Sequence, residues 1–418
     1  VSVIPPPSSL RRNASWAFLG QGFHLGCQWL LVALFARSGG AQAAGLFALG
    51  LAVCTPVMVF ANLHLRELQA SDAVEQFQFR ERLAVRLGAL ALALIAILGW
   101  CAWIGWTGEQ AFAVIAVALA KVVESLADLG YGALQARERF ASIATSQVLR
   151  GVAGLTFAVS TFLLTRDVGL AILALAGGWL LTVLLVDLPQ IAAVIAPAPL
   201  LPRIDRGRLG ALLRQAIPLG LAGGIGAVTL MFPSYTIQHQ SGTAGLGEYT
   251  AVLYLLMVGN LAALALAQAA TPRLSRAHAE GDHQGFRRLV MRLGLATLAL
   301  GATAIVVSWS VGGAVLELVY GPTWHLQAPL LVWLAGATAT YWLATVLGCA
   351  CTAARRLSLQ IPIAALACLA SGLTSWWFIP TAGLIGAAWS GMVTGMVLVV
   401  CYAALAFTAR HPPTGIRQ

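Results

Sequence analysis

Charge is scarce in this chain: only 10% of its 418 residues are Asp, Glu, Lys or Arg, against 59% hydrophobic. So little charge cannot keep two or three domains of that length in water. A mean hydropathy of +0.83 instead points to an all-α polytopic membrane protein. Lysine is almost missing. The net charge of +10 comes from 24 Arg and a single Lys scattered through short connectors, which argues against a nucleic-acid partner. Paired or metal-spaced cysteines are absent as well: Cys27, Cys54, Cys101, Cys349, Cys351, Cys368 and Cys401 all fall in apolar runs with no CxxC, so no metal site is expected. No nucleophile elbow, phosphate-binding glycine loop or pair of outer carboxylates occurs, and the outer loops run to about a dozen residues or fewer, so neither an enzyme nor a cofactor is expected.

What is present is a series of apolar runs. Spans are expected at 14–36, 41–63, 83–106, 110–136, 140–164 and 168–196, then at 212–237, 246–271, 289–315, 325–353, 357–379 and 383–408. The Arg11-Arg12 pair before the first run resembles the start of a signal peptide, but that run is too long for one and is expected to stay as a span. With the N-terminus inside, 21 arginines fall on inner segments and only Arg37 and Arg166 on outer loops, a bias that places both termini in the cytoplasm. Trp100, Trp103, Trp106, Trp324, Trp376 and Trp377 all fall at the expected outer interface, where indole rings anchor.

The chain also repeats itself. Arg12-Asn13-Ala14 matches Arg214-Gln215-Ala216, and Gly45 and Gly247 each lie 33 residues further on; Arg86-Leu87-Gly88 returns as Arg292-Leu293-Gly294. Two six-helix lobes around a central cavity follow, 1–196 and 212–418, with the proline-rich stretch 197–211 as a cytoplasmic linker between them. Rocking of such lobes is how a transporter alternates access.

The chemistry concentrates in spans four and five. Lys121, Glu124 and Asp128 lie at i, i+3 and i+7 on one helix face, and Arg150 in the next span is level with the two acids at depths of about 15 to 21 Å. Ionised groups at mid-span cost roughly 2.5–3.5 kcal/mol each in lipid, so these must face partners or water. They form either a self-neutralising structural cluster or a cavity wall that binds an anion or carries a coupling ion, with Arg150 expected to pair with Glu124 or Asp128. Asp187 is expected at a helix end in the interface. Gln21, His24 and Gln28 share a face of the first span and either line the same cavity or hold helices together. Arg37 and Arg166 sit where they could grip phosphate at the exit, or are plain loop charges. Tyr235, Gln238, His239, Asn260 and Gln268 give the second half polarity without charge. Glycine pairs at 22/26, 220/224 and 391/395 have the spacing of close helix contacts. Phe77 and Phe79, among the charges of 67–82, suit an inner headgroup-level segment or an ordinary loop.

Several segments in order carry a family resemblance: Leu10-Arg11-Arg12-Asn13-Ala14-Ser15-Trp16, Gly45-Leu46-Phe47-Ala48-Leu49, Asn62-Leu63-His64-Leu65-Arg66, Gly245-Leu246-Gly247-Glu248-Tyr249, Leu318-Val319-Tyr320-Gly321-Pro322-Thr323-Trp324 and Gly383-Leu384-Ile385-Gly386-Ala387-Ala388. Over nearly its whole length the chain resembles the Wzx-type polysaccharide (O-antigen) flippases of the multidrug/oligosaccharidyl-lipid/polysaccharide (MOP) exporter superfamily. The resemblance implies twelve helices in two lobes, and a polyprenyl-diphosphate-linked oligosaccharide carried across a bacterial inner membrane for O-antigen, capsule or exopolysaccharide assembly. It also implies cationic cavity residues that meet the diphosphate, for which Lys121 and Arg150 are the matching candidates. A glycan polymerase and assembly proteins are further candidate partners beside the bilayer. Two alternatives stay open: a cation-coupled small-molecule exporter of the same fold, using H⁺ or Na⁺ at Glu124 and Asp128, and an intramembrane polymerase or glycosyltransferase, which the short outer loops disfavour.

Overall fold

The computed structural model describes residues 10–72, 76–354, 356 and 359–407. Arg355, Arg410, Arg417 and the expected end of the last span at 408 lie outside them. Among the described residues the chain is helical throughout: α1 (Leu10–Asn62), α2 (Leu65–Ser71), α3 (Phe79–Ile104), α4 (Gly108–Ala136), α5 (Phe140–Thr165), α6 (Val168–Thr182), a π-helical turn (Val183–Asp187), α7 (Leu188–Ile195), α8 (Arg206–Leu255), α9 (Met257–Ala279), α10 (His283–Tyr320), a 3₁₀ turn (Pro322–Gln327), α11 (Ala328–Ala353) and α12 (Gln360–Phe407). Among the described residues, eight helical stretches are long and apolar enough to cross a membrane. The count of twelve stays an expectation.

Three of the helices are too long for one crossing. At 1.5 Å per residue, 50 residues make about 75 Å, more than twice a hydrocarbon core of about 30 Å. Each is two helices joined at a glycine in a non-helical conformation: Gly40 in α1, Gly242 in α8 and Gly383 in α12. Their positive φ is open to glycine at little cost. Gly40 (φ 72, ψ −174) and Gly242 (φ 68, ψ −169) share one conformation and lie 202 residues apart, the same offset that separates Arg12 from Arg214 and Gly45 from Gly247. The repeat thus extends from sequence to backbone. A Cβ added at Gly45 would strike the Thr243 carbonyl, and one added at Gly247 would strike the carbonyl of Ala41, the Thr243 counterpart.

Backbone proximity divides the chain into two compact units. One runs to Ser234 and takes in Ser241–Ala251; the other comprises Tyr235–Gln240 and the chain from Val252 onward. In the first, Phe35 packs edge-on against Phe47 and Phe162, and Gly220 and Gly224 of α8 close onto Phe60 and Leu63, as their spacing predicts. Gly26 differs, since an added Cβ there would meet open space. Phe77 is buried beside Leu63, Leu65, Val85 and Leu129, with Phe79 packed against that cluster, so these two rings are folded into the unit rather than laid on a headgroup surface. Arg82 bridges Asp72 at 2.6 Å and Arg208 bridges Glu81 at 2.6 Å, tying the start of α3 to α2 and α8. In the second unit, Leu274, Val290, Val346 and Ala350 form a core cluster, and Gly391 and Gly395 approach Ala337 and Thr340. Trp100, Trp103, Trp376 and Trp377 are exposed as an anchoring belt requires, but Trp324 is buried against Tyr320 and packs instead of anchoring.

Candidate functional site

The ionisable groups of α4 divide into two sets. Lys121 Nζ meets Glu124 Oε2 at 2.7 Å, a contact that the i,i+3 spacing on one helix makes easy. One turn nearer the arginine-rich end, Asp128 receives Arg66 at 3.2 Å and Arg86 at 3.5 Å. Arg86 is fully buried and also donates to the Asn62 side-chain oxygen Oδ1, which accepts from Ser125 as well. Arg66 reaches Gln135 in addition, at 3.1 Å. Asp128 is therefore a structural lock joining α1, α2, α3 and α4. Lys121 and Glu124 keep 21% and 27% of their side-chain surface exposed at mid-helix, much as Asp128 keeps 29%, so all three call for water at this depth rather than lipid.

Arg150 does not pair as its depth suggested. Glu124 and Asp128 are held by other cations, and the Arg150 guanidinium lies 5.5 Å from the ring centroids of both Tyr131 and Trp179. Axial depth puts Arg150 level with the two acids, but its position around α5 turns it toward Tyr131, one turn beyond Asp128. Tyr131 stands between two guanidiniums, with Arg66 at 5.6 Å, and its hydroxyl shares a 2.7 Å hydrogen bond with Ser146. Arg150 is 3% exposed, and its Nε and Nη1 carry no hydrogen bond.

The polar face of the first span meets this cluster. Gln147 Nε2 donates to Gln21 at 2.8 Å, Gln28 and His24 are 3.2 Å apart, and the His24 ring lies 5.5 Å from Trp179, within electrostatic range of Arg150, Glu124 and Lys121. Gly154 and Gly151 make room, the first for the Trp179 indole and the second for Cys27 and the His24 backbone. Arg37 is exposed and 13 residues beyond His24, about 20 Å along the helix, so it stands apart from this cluster. Arg166 lies at the end of α5 in a surface pocket with Glu109 and Asp167, likewise separate.

Asp187 corrects the sequence reading most. Expected at an interface, it is fully buried, with the Ser146 hydroxyl in hydrogen-bonding reach and Arg150 in electrostatic range. Pro189 lacks an N–H for the helical ladder, and the chain widens just before it: the Leu188 N–H reaches back five residues to Val183. That wider turn shifts the register and carries Asp187 inward. The proline was visible in the sequence; the extra width of the turn was not. Tyr131 was legible by spacing, since it continues the Glu124–Asp128 face at i+7.

Long apolar helices and glycine-jointed pairs define a multi-pass membrane protein. Solved structures with this fold agree: "Lipid II flippase MurJ, inward closed conformation" superposes with a TM-score of 0.71 at 12% identity, covering 92% of this chain and 86% of that one. An inward-facing multidrug resistance MATE family transporter of the MOP superfamily gives 0.63 at 15% identity, covering 96% and 94%. At such identities the likeness shows the fold. The capsular polysaccharide biosynthesis protein CapF of Staphylococcus aureus is 19% identical over 393 residues, 94% of this chain and 98% of that protein. The family model described as lipid II flippase MurJ matches residues 87–410, and the chain belongs to that family. Flippases and transporters, not catalysts of chemical reactions, make up its family and its structural neighbours.

Proposed function

We propose that this protein flips a polyprenyl-diphosphate-linked oligosaccharide across a bacterial inner membrane by alternating access, supplying O-antigen, capsule or exopolysaccharide assembly. Both termini are then cytoplasmic, and 1–196 and 212–418 act as the two lobes joined through 197–211. A glycan polymerase and assembly proteins are the partners this reading adds.

One observation carries the reading: in a chain of the MurJ family, the first unit holds a part-exposed mid-helix ammonium, Lys121, bridged to Glu124, and a buried guanidinium, Arg150, two of whose nitrogens make no hydrogen bond. A diphosphate head cannot enter hydrocarbon unaided, and charge-assisted hydrogen bonds from Arg suit phosphate oxygens in particular. Gln21, His24 and Gln28 line the approach to Arg150, and Arg37 is assigned to the exit. The likeness to the capsular polysaccharide protein CapF supports a glycan-bearing cargo.

The multidrug-type alternative draws support from the MATE structures of the same fold. It is weaker here because both acids it needs are occupied, Glu124 by Lys121 and Asp128 by Arg66 and Arg86. Coupling to H⁺ or Na⁺, where transport uses it, falls to Asp187, a buried carboxyl whose neighbours are Ser146 and Arg150.

Export assays on Lys121→Ala and Arg150→Ala test the reading. Each variant, still folded in the membrane, is expected to lower glycan export by about 10- to 100-fold, the weight of a charge-assisted contact, with lipid-linked glycan accumulating in the inner leaflet. Undiminished export from the double variant removes both residues from the mechanism.

A further inference from the structure

Where α2, α4 and α7 end and α3 begins, the first unit carries a hollow of about 410 Å³ that shares no lining residue with the Lys121 and Arg150 clusters. Arg80, Arg82 and Arg137 line it. Asp72 is the one acid among the described residues of its wall, so the lining holds two more cations than anions. Val194, Ile195 and Ala198 make another wall apolar. The hollow is therefore amphiphilic.

Its charges are not equally available. Asp72 is spent: Arg82 meets it at 2.6 Å, and the N–H groups of Gln76 and Phe77 donate to its two oxygens at 3.0 and 3.2 Å. Arg82 is spent with it, since its Nη1 donates to the Phe77 carbonyl at 2.6 Å. Arg80 gives only its Nε, to the Leu201 carbonyl at 2.8 Å, and among the described residues nothing accepts from its two Nη groups. Glu81, the acid beside it in sequence, is fully buried, is bridged by Arg208 at 2.6 Å and does not line the hollow. Arg137 adds an exposed guanidinium at the rim. Gln69, also in the wall, is 7% exposed, and its amide oxygen has no hydrogen-bond partner. Buried polar groups are almost always paired, so a ligand hydroxyl at Gln69 gains an acceptor without displacing another donor.

We propose that the hollow binds a hydroxylated phosphate ester of the glycerol phosphate kind, Arg80 and Arg137 taking the oxyanion and the Gln69 amide oxygen accepting from a hydroxyl. Guanidinium suits phosphate because its N–H groups form a rigid fork that matches two oxygens. A bare ion would leave the apolar wall and Gln69 untouched, whereas an ester with an organic body uses both. The position has a mechanical consequence. Ala198 belongs to the connector between α7 and α8, which is already stitched to α3 through Leu201 and through the Arg203 N–H, 3.1 Å from the Arg80 carbonyl. A ligand held between Arg80 and that connector tightens the stitch. Glycerol phosphate reaches such a site either as a lipid headgroup or as a free ester, and the inference stands independently of the flippase reading.

The full chain, purified in phosphate-free detergent buffer, tests it with two probes: sn-glycerol 3-phosphate by calorimetric titration, and phosphatidylglycerol against phosphatidylethanolamine of identical chains by native mass spectrometry. Binding of sn-glycerol 3-phosphate assigns the site to a free ester, and preferential retention of phosphatidylglycerol alone assigns it to a headgroup. Either is expected to weaken about tenfold in Arg80→Gln/Arg137→Gln, the weight of a lost charge-assisted contact. Should that pair fail to fold, Arg137→Gln alone, at an exposed position, is expected to lose several-fold. Gln69→Leu is expected to weaken the ester several-fold, and hydrogen–deuterium exchange over 198–204 is expected to slow on binding. Failure of both probes to bind the wild-type protein, or binding undiminished in the paired variant, overturns the proposal. So does inorganic phosphate binding as tightly as the ester, which would leave Gln69 and the apolar wall without a part.

Discussion

The two units place polar groups inside apolar helices in different ways, and the contrast is sharpest between α4–α5 of the first and α12 of the second. In the first, Lys121, Glu124, Asp128, Arg150 and Asp187 bring formal charge into the spans. In the second, Ser371, Ser375, Ser390 and Thr394 are buried as hydroxyls: Ser390 Oγ lies 2.8 Å from Thr374 and 2.9 Å from Ser375, and Thr394 donates to its own helix at the Ser390 carbonyl. A hydroxyl that finds a carbonyl one turn back is cheap to bury, whereas each ion at mid-span costs roughly 2.5–3.5 kcal/mol before compensation. Two arrays of the same fold need only the cheaper device for stability. The charges of the first unit therefore mark where function is to be sought, except where a charge is saturated by partners.

Asp128 is that exception, and its removal is expected to have the largest effect on stability. Asp128→Ala leaves Arg86 buried with its carboxylate partner gone, which is expected to cost about 3 kcal/mol, seen as a lowered melting temperature in detergent. Replacing both partners, as in Arg86→Met with Asp128→Leu, is expected to restore much of the loss, because apolar packing often substitutes well for a buried pair. An unchanged melting temperature in Asp128→Ala would place water around Arg86 and erase the distinction between lock and site. A double-mutant cycle sharpens it further: about 1 kcal/mol of coupling is expected between Asp128 and Arg66, and none between Asp128 and Arg150.

Much of this contrast was legible in the sequence, and its gaps have physical causes. The apolar runs, the repeat offset and the glycine positions followed from composition and spacing, and Gly40 and Gly242 extend them into matching backbone angles. That Lys121, Glu124 and Asp128 share a face also followed, since helix periodicity is local. Which cation each acid would take did not follow, because partner choice depends on how neighbouring helices are rotated. Arg66 and Arg86, counted as basic inner-segment residues, turned out to be the partners of Asp128. Spacing alone does not place Asp187, because a single wide turn before Pro189 shifts the register. Depth puts Trp324 at the anchoring level, yet Tyr320 packing holds it.

Within the second unit the expected effect is smaller. Ser390→Ala removes a hydroxyl within reach of Thr374, Ser375 and the Ser371 carbonyl, and is expected to cost about 1–2 kcal/mol, since those partners lose a common contact inside the bundle. Transport of cargo by the folded variant is expected to be unaltered. A Ser390→Ala protein that melts normally but has lost transport would move function into the hydroxyl array and break the contrast between the units.

Dependence on pH separates ion-based from hydroxyl-based stability with the smallest expected effect. Asp72 lies outside the spans, between α2 and α3. Burial acts to raise its carboxyl, but the N–H groups of Gln76 and Phe77 and the Arg82 guanidinium outweigh that and hold it below its ordinary value of 3.8. A depressed carboxyl stabilises the fold above its unfolded value and loses that contribution as pH falls through the lower, folded one. Asp72→Asn is therefore expected to melt below the wild-type protein at neutral pH, and the gap is expected to close only in strongly acidic buffer. Ser390→Ala carries no titrating group, so its deficit is expected to stay constant over the same range. If the Asp72→Asn gap persisted undiminished at the acid end, hydrogen bonding alone would explain it, and the first unit's peripheral ion pairs would resemble the second unit's hydroxyls in kind.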